Sequence, residues 1–198
     1  MDREARKRYR ERANRARRGL LKEKECYGYI NDGSGKRYRA GVFYVLSGDF
    51  EKAIEFFDWF SSEFPDDIGE PVFDLYWAIA AYRVGRQEQA RVRLQHAMLQ
   101  NLYMLPRLFG EDWKDLDIWH SSNRQYRSYL DDIEEFLHEP TTAEREWIKQ
   151  QFYSDSFRRL RDAYIDHYGR LLNEHDLRRR KVILQSWDRV AASILDNN

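Results

Sequence analysis

A six-residue phrase returns 37 residues after its first appearance, and that echo limits the chain to few architectures. Gly48-Asp49-Phe50-Glu51-Lys52-Ala53 is answered by Gly85-Arg86-Gln87-Glu88-Gln89-Ala90. An apolar helical stretch lies on either side of each phrase. Recurrence at such a period marks stacked helix–turn–helix units, because one hairpin cannot bury its apolar face alone. Stacks of this kind usually offer binding surfaces rather than active sites.

Periodicity places the remaining elements. Residues 2–24 read as an arginine-rich helix whose thin apolar stripe is Ala5, Tyr9, Ala13, Ala16 and Leu20, interrupted near its end by Gly19. Gly28 to Gly35 is a turn-rich connection. The first hairpin is expected as Lys36–Leu46 and Phe50–Glu63, stopped by Pro65. The second is expected as Pro71–Val84 and Gln87–Asn101, with Pro71 in its first turn, where a missing amide proton costs nothing. A short helix over 102–109 follows, then an ambiguous stretch over 111–120. Ser121 and Ser122 are candidate caps for a helix carrying Tyr126, Tyr129, Leu130, Ile133, Phe136 and Leu137. Thr141 and Glu144 form a capping box before a helix with Trp147, Ile148 and Phe152. Its register slips at 153–156 and resumes through Phe157, Leu160, Tyr164, Tyr168 and Leu171. A last helix holds Ile183, Trp187, Val190, Ala191 and Ile194. No β-alternation appears, so the expected class is all-α.

The two units resemble tetratricopeptide repeats. Gly41, Tyr44, Ala53, Phe57 and Pro65 in the first, and Ala78, Ala90, Leu94 and Ala97 in the second, fall on that family's small, aromatic and helix-stopping positions. Phe60, Ala81 and Leu102 depart from the pattern, and the period is longer than the usual ~34 residues. Small side chains at Gly41, Ala53, Ala78 and Ala90 would let antiparallel helices approach closely. The resemblance implies antiparallel helical hairpins over residues 36–102, stacked into a short right-handed array. Residues 1–27 would then be a basic N-terminal helix or arm, and 103–198 a C-terminal helical region capping the array. It also implies a groove lined by Tyr38, Val42, Val45, Leu75, Ile79 and Tyr82, with Arg39 and Arg83 nearby. The asparagines of the family's carboxylate clamp are missing, so an apolar-aromatic groove is expected, filled by a partner segment or by the chain's own C-terminal helices.

Charge is zero overall but segregated. Residues 1–26 carry 11 Lys/Arg against 5 Asp/Glu, whereas residues 48–74 carry 9 acids against Lys52 alone. The basic arm therefore either lies on the acidic hairpin or reaches an external anion, with Arg6, Arg8, Arg10, Arg15, Arg17 and Arg18 as candidate phosphate or nucleic-acid contacts. A basic-zipper reading lacks its leucine heptads. Gly33-Ser34-Gly35-Lys36 lacks most of a phosphate-binding loop and reads as a turn. The five histidines and Cys26 show no ligand spacing. The acidic run Asp131, Asp132, Glu134 and Glu135 sits on the polar face of its helix. No cofactor, metal or catalytic constellation is expected. A lone cysteine, no signal-peptide core and no long apolar run point to a soluble cytoplasmic protein away from the membrane. The expected role is a protein–protein interaction or scaffold module for a protein or peptide partner, with nucleic-acid association as the alternative.

Overall fold

The structure, a computed structural model, describes the backbone of residues 1–196 and side chains through Ser193. It is all-helical, with no strand among the described residues. The chain divides into two compact units, residues 1–97 and the chain from Met98 onward.

In the first unit, α1 (Arg3–Tyr27) is followed by α2 (Lys36–Leu46), α3 (Phe50–Glu63), α4 (Pro71–Arg83) and α5 (Gln87–Gln100), whose last turn crosses the boundary. The echoed phrase is an echoed turn. Gly48 and Gly85 take φ of 79° and 81°, where a Cβ would be strained. The Gly48 and Asp49 amides donate to Val45 and Tyr44 carbonyls at 2.8 and 3.0 Å. Thirty-seven residues on, Gly85 and Arg86 donate to Tyr82 and Ala81 at 3.1 and 2.8 Å. Both are Schellman closures that satisfy carbonyls orphaned at a helix end.

Gly41, Ala53, Ala78 and Ala90 are all buried. At Gly41 the need for a missing side chain is explicit, since a Cβ would lie 2.4 Å from Cε1 of Phe57. Phe57 in turn stacks on Trp77 of α4 at 4.8 Å and 6°, and Phe60 meets Phe73 at 4.6 Å. Bulky Phe60 thus fills space between α3 and α4.

α1 packs on α2. Ala13 and Leu20 are fully buried, Tyr9 meets Phe43 at 5.7 Å, and the Tyr44 hydroxyl donates to Asn14 Oδ1 at 2.9 Å. Pairings 9 with 43 and 19 with 36 run in opposite order, so α1 is antiparallel to α2. Ion pairs Arg10–Asp49 (3.5 Å), Arg17–Glu55 (3.9 Å) and Lys24–Glu63 run in the same order, so α1 is parallel to α3. Of the two destinations open to the basic arm, this is the acidic hairpin. Gly19 does not interrupt α1, which continues to Tyr27 and ends at Gly28; the glycine instead admits the Lys36 stem, 3.4 Å from where its Cβ would stand. The Gly33–Lys36 segment is a turn whose would-be anion position is taken by a carboxylate: Asp32 accepts from the Lys36 and Arg37 amides, both at 2.8 Å.

The second unit contains α6 (Met104–Leu108), a 3-10 turn at Asn123–Gln125, α7 (Tyr129–Leu137), α8 (Thr142–Phe152), α9 (Asp155–Leu172) and α10 (Leu177–Asp196). The Thr141–Glu144 capping box opens α8 as expected. Helix ends here are gathered by arginines, whose charge suits the negative pole of a helix. Arg145 donates to the carbonyls of Leu108, Leu137 and Pro140 at 2.6, 2.6 and 2.9 Å. Arg161 reaches Phe152 O, and Arg180 reaches Leu171 O at 2.7 Å. Tyr126, expected on the stripe of α7, precedes that helix in extended backbone and is exposed. Ile194, at the end of the expected α10 stripe, lies outside the described side chains.

Two outcomes check this packing. Gly41→Ala lowers urea-unfolding stability by about 1–2 kcal/mol net, overpacking against Phe57 outweighing the helix-propensity gain; Gly33→Ala, with no atom within 4 Å, changes little. Leu20→Ala costs about 3 kcal/mol, whereas replacing Arg10, Arg17 and Lys24 together with alanine costs about 1 kcal/mol, and only at low salt.

Candidate functional site

The groove residues read from the repeat do not form an open surface. Val42 is 4% exposed, and Val45, Leu75 and Ile79 are buried with it. This corrects the expectation of Val42 as a contact residue: an apolar side chain on α2 is part of the core. Tyr38 is half-buried, with its hydroxyl 2.8 Å from both oxygens of Asp67 and its ring edge-on to Phe73 at 5.6 Å. Burial holds its phenol above the usual range, with Asp67 adding to the shift. Arg39 is exposed, Tyr82 half-buried, and Arg83 exposed with its guanidinium over Phe50 at 4.6 Å. Tyr38 therefore sits at the start of α4 and Arg83 at the start of α3, which are opposite ends of the hairpin.

The arginines of α1 divide into two sets. Arg10 and Arg17 face α3 in ion pairs, and Arg12 lies over Phe43 at 4.1 Å. Arg6, Arg8, Arg15 and Arg18 are exposed and make no ion pair among the described residues.

A polar cluster at α4 and α5 was not legible in the sequence as a site. Asp74, 1% exposed, lies 3.3 Å from Arg93, whose guanidinium stands 3.4 Å over Trp77. An acid inside the apolar run Pro71–Trp77 was its only signal. Burial, and then Arg93, hold the neighbouring His96 below the usual histidine range.

The second unit holds an open cleft of about 670 Å³. Buried Asn101 builds one wall, donating to the Arg124 and Tyr126 carbonyls at 2.7 and 3.2 Å and accepting from the Tyr103 amide at 3.0 Å. The Tyr103 hydroxyl accepts from Leu116 N at 2.9 Å, pinning the irregular 111–120 segment. Trp119 is fixed by its amide on Tyr168 O at 2.9 Å and by Arg180 over its ring at 4.8 Å. His120 packs on Tyr126 with ring centroids 4.4 Å apart. Burial lowers its pKa, against the opposing pull of Asp115, so the ring is neutral at pH 7. The lining cations are already neutralised: Arg107 pairs with Glu134 at 3.3 Å and Arg127 with Asp112 at 2.6 Å. Asp115, Asp117 and Asp131 are exposed at the cleft and make no ion pair among the described residues. The cleft therefore presents aromatic walls and surplus negative charge.

Nucleophile–base chemistry has one geometric echo, in the α9–α10 pair. His167 Nε2 lies 3.2 Å from Ser186 Oγ, with Nδ1 2.7 Å from Ala163 O. The ring is 7% exposed and bridges two helices, which makes it an interhelical link. Among the described residues no group of three or more His, Cys, Asp or Glu is placed to hold a metal ion. No described helix is long and apolar enough to cross a membrane. Comparison of the chain with protein-family models, curated proteins and solved structures finds no significant match.

The His96 shift has a sign. The unfolded chain takes up a proton near pH 6.5, which the folded ring resists, so stability falls as pH drops through that value. The urea midpoint is expected to decrease between about pH 7.5 and 5.5, and His96→Gln to reduce that decrease.

Proposed function

We propose that the chain is a protein–protein interaction module built on tetratricopeptide-like hairpins, taking a basic segment of a partner protein in the cleft of its second unit. The two turns with matching hydrogen bonds, 37 residues apart, support the repeat reading. In that reading α1 stands where the second helix of a preceding hairpin would, antiparallel to α2 and parallel to α3, and closes the end of the stack. The observation that carries the functional reading is the cleft's charge: three carboxylates without ion pairs among the described residues beside exposed Tyr126 and half-buried Trp119, with both lining arginines already paired. Guanidinium and ammonium groups are recognised by such carboxylates and by aromatic faces together. Arg39 and Arg83, both exposed, are candidate contacts on the first unit. The role is one of scaffolding rather than catalysis, and lone, exposed Cys26 supports a cytoplasmic setting.

A fluorescent peptide alternating arginine and leucine tests the reading by anisotropy on the full chain. Binding is expected to weaken at least about fivefold in Asp115→Asn/Asp117→Asn, by loss of charge-assisted bonds, and comparably in Tyr126→Ala. Unchanged binding in both variants, or loss in Arg39→Ala/Arg83→Ala alone, would reject the cleft.

A further inference from the structure

A second cleft, in the first unit, has the opposite chemistry. It lies between α1 and the first turn of α3, beside Tyr44 of α2, with a volume of about 620 Å³. Arg15, Arg17, Arg18 and Lys52 line it against a single acid, Glu11, with Asn14 on its wall. Two of the cations are lightly held, Arg17 by Glu55 at 3.9 Å and Lys52 by Asp49 at 3.5 Å. Arg15 and Arg18 are exposed and make no ion pair among the described residues. Asn14 Oδ1 accepts from the Tyr44 hydroxyl at 2.9 Å, so the group it leaves for the cleft is its amide NH2, a donor. Three guanidinium groups, one ammonium and one amide thus line one concave site as donors.

We infer that this cleft binds an oligophosphate group, a chain of two or three phosphates, with Arg15 and Arg18 as its main ligands. Carboxylates bring one charge each and two oxygens, whereas an oligophosphate concentrates several charges and many acceptor oxygens in a volume this cleft encloses. Guanidinium matches phosphate in forked pairs, and the lysine adds a point charge. The α1–α3 ion pairs position the site: they hold α1 beside Lys52, occupying Arg10 and Lys24 while Arg17 is held only at 3.9 Å. A single-stranded nucleic acid would instead track the exposed face of α1 through Arg8, Arg15 and Lys22, without needing Lys52. The inference is independent of the acidic cleft in the second unit.

The test is isothermal titration of the full chain with inorganic tripolyphosphate, repeated with a nucleoside triphosphate and with a short single-stranded RNA. Tripolyphosphate is expected to bind, with affinity falling tenfold or more, on the order of the loss of two charge-assisted pairs, in Arg15→Gln/Arg18→Gln. These side chains are exposed and unpaired, so circular dichroism should be unchanged. Arg178→Gln/Arg179→Gln, on the exposed face of α10, should retain affinity, and Lys52→Gln should weaken it. Equal affinity for the nucleoside triphosphate assigns the site to the phosphate chain alone, and tighter binding adds recognition of the nucleoside; both support the inference. No binding of tripolyphosphate, equal loss in the α10 control, or RNA bound far more tightly and insensitive to Lys52→Gln overturns it.

Discussion

The absent side chain at Gly41 is the constraint on which the first unit depends. It lets the Phe57 ring come within a distance that no Cβ would tolerate. That position allows Phe57 to stack flat on Trp77. The same indole carries Arg93, and Arg93 pairs with buried Asp74. One close approach between α2 and α3 thus fixes where α4 lies, and α4 fixes the charged pair that ties it to α5. A buried carboxylate is expensive without its partner, so the aromatic stack and the ion pair stand or fall together.

Much of this order was legible, because it is written in local patterns. The ends of α2 and α3 follow from a turn glycine, a proline and the apolar period, and both helices occupy the residues that pattern assigns. The capping box at Thr141 needed only four residues to be read. Tyr126 shows where such reading ends. It shares the spacing of the α7 stripe, yet Asn101, 25 positions earlier, takes its carbonyl and holds it outside the helix. Arg145 is similar: nothing in its neighbourhood announces that it will collect the last carbonyls of α6 and α7 together with that of Pro140. Long-range hydrogen bonds leave no period in a sequence.

The groove residues illustrate a different gap. Periodicity sorts Val42, Val45, Leu75 and Ile79 to an apolar face, and they do lie together in helices of one unit. It does not distinguish a face that greets a partner from one that is already covered. Burial decides that question, and burial depends on everything that packs nearby. Tyr38 carries a further signal in Asp67, since a hydroxyl shared with a carboxylate is committed to the fold. The acidic cleft was beyond sequence reading for the same reason: its carboxylates come from an irregular segment and from α7, and only the folded chain shows which neighbouring arginines are spent.

Charge segregation was plain from the sequence, but its consequence required geometry. Positions 10, 17 and 24 of α1 are seven apart, nearly two turns, so they return to one side of the helix. That side meets the acids of α3. Arginines at 8 and 15 fall on the other side by the same rotation, Arg18 falls on the flank between, and all three remain exposed. A continuous basic run therefore separates into a docking edge and a displayed edge, with the boundary between them at Arg17, which lies 3.9 Å from Glu55 and also lines the cationic cleft. Docking does not exhaust the positive charge of α1; it orients what is left.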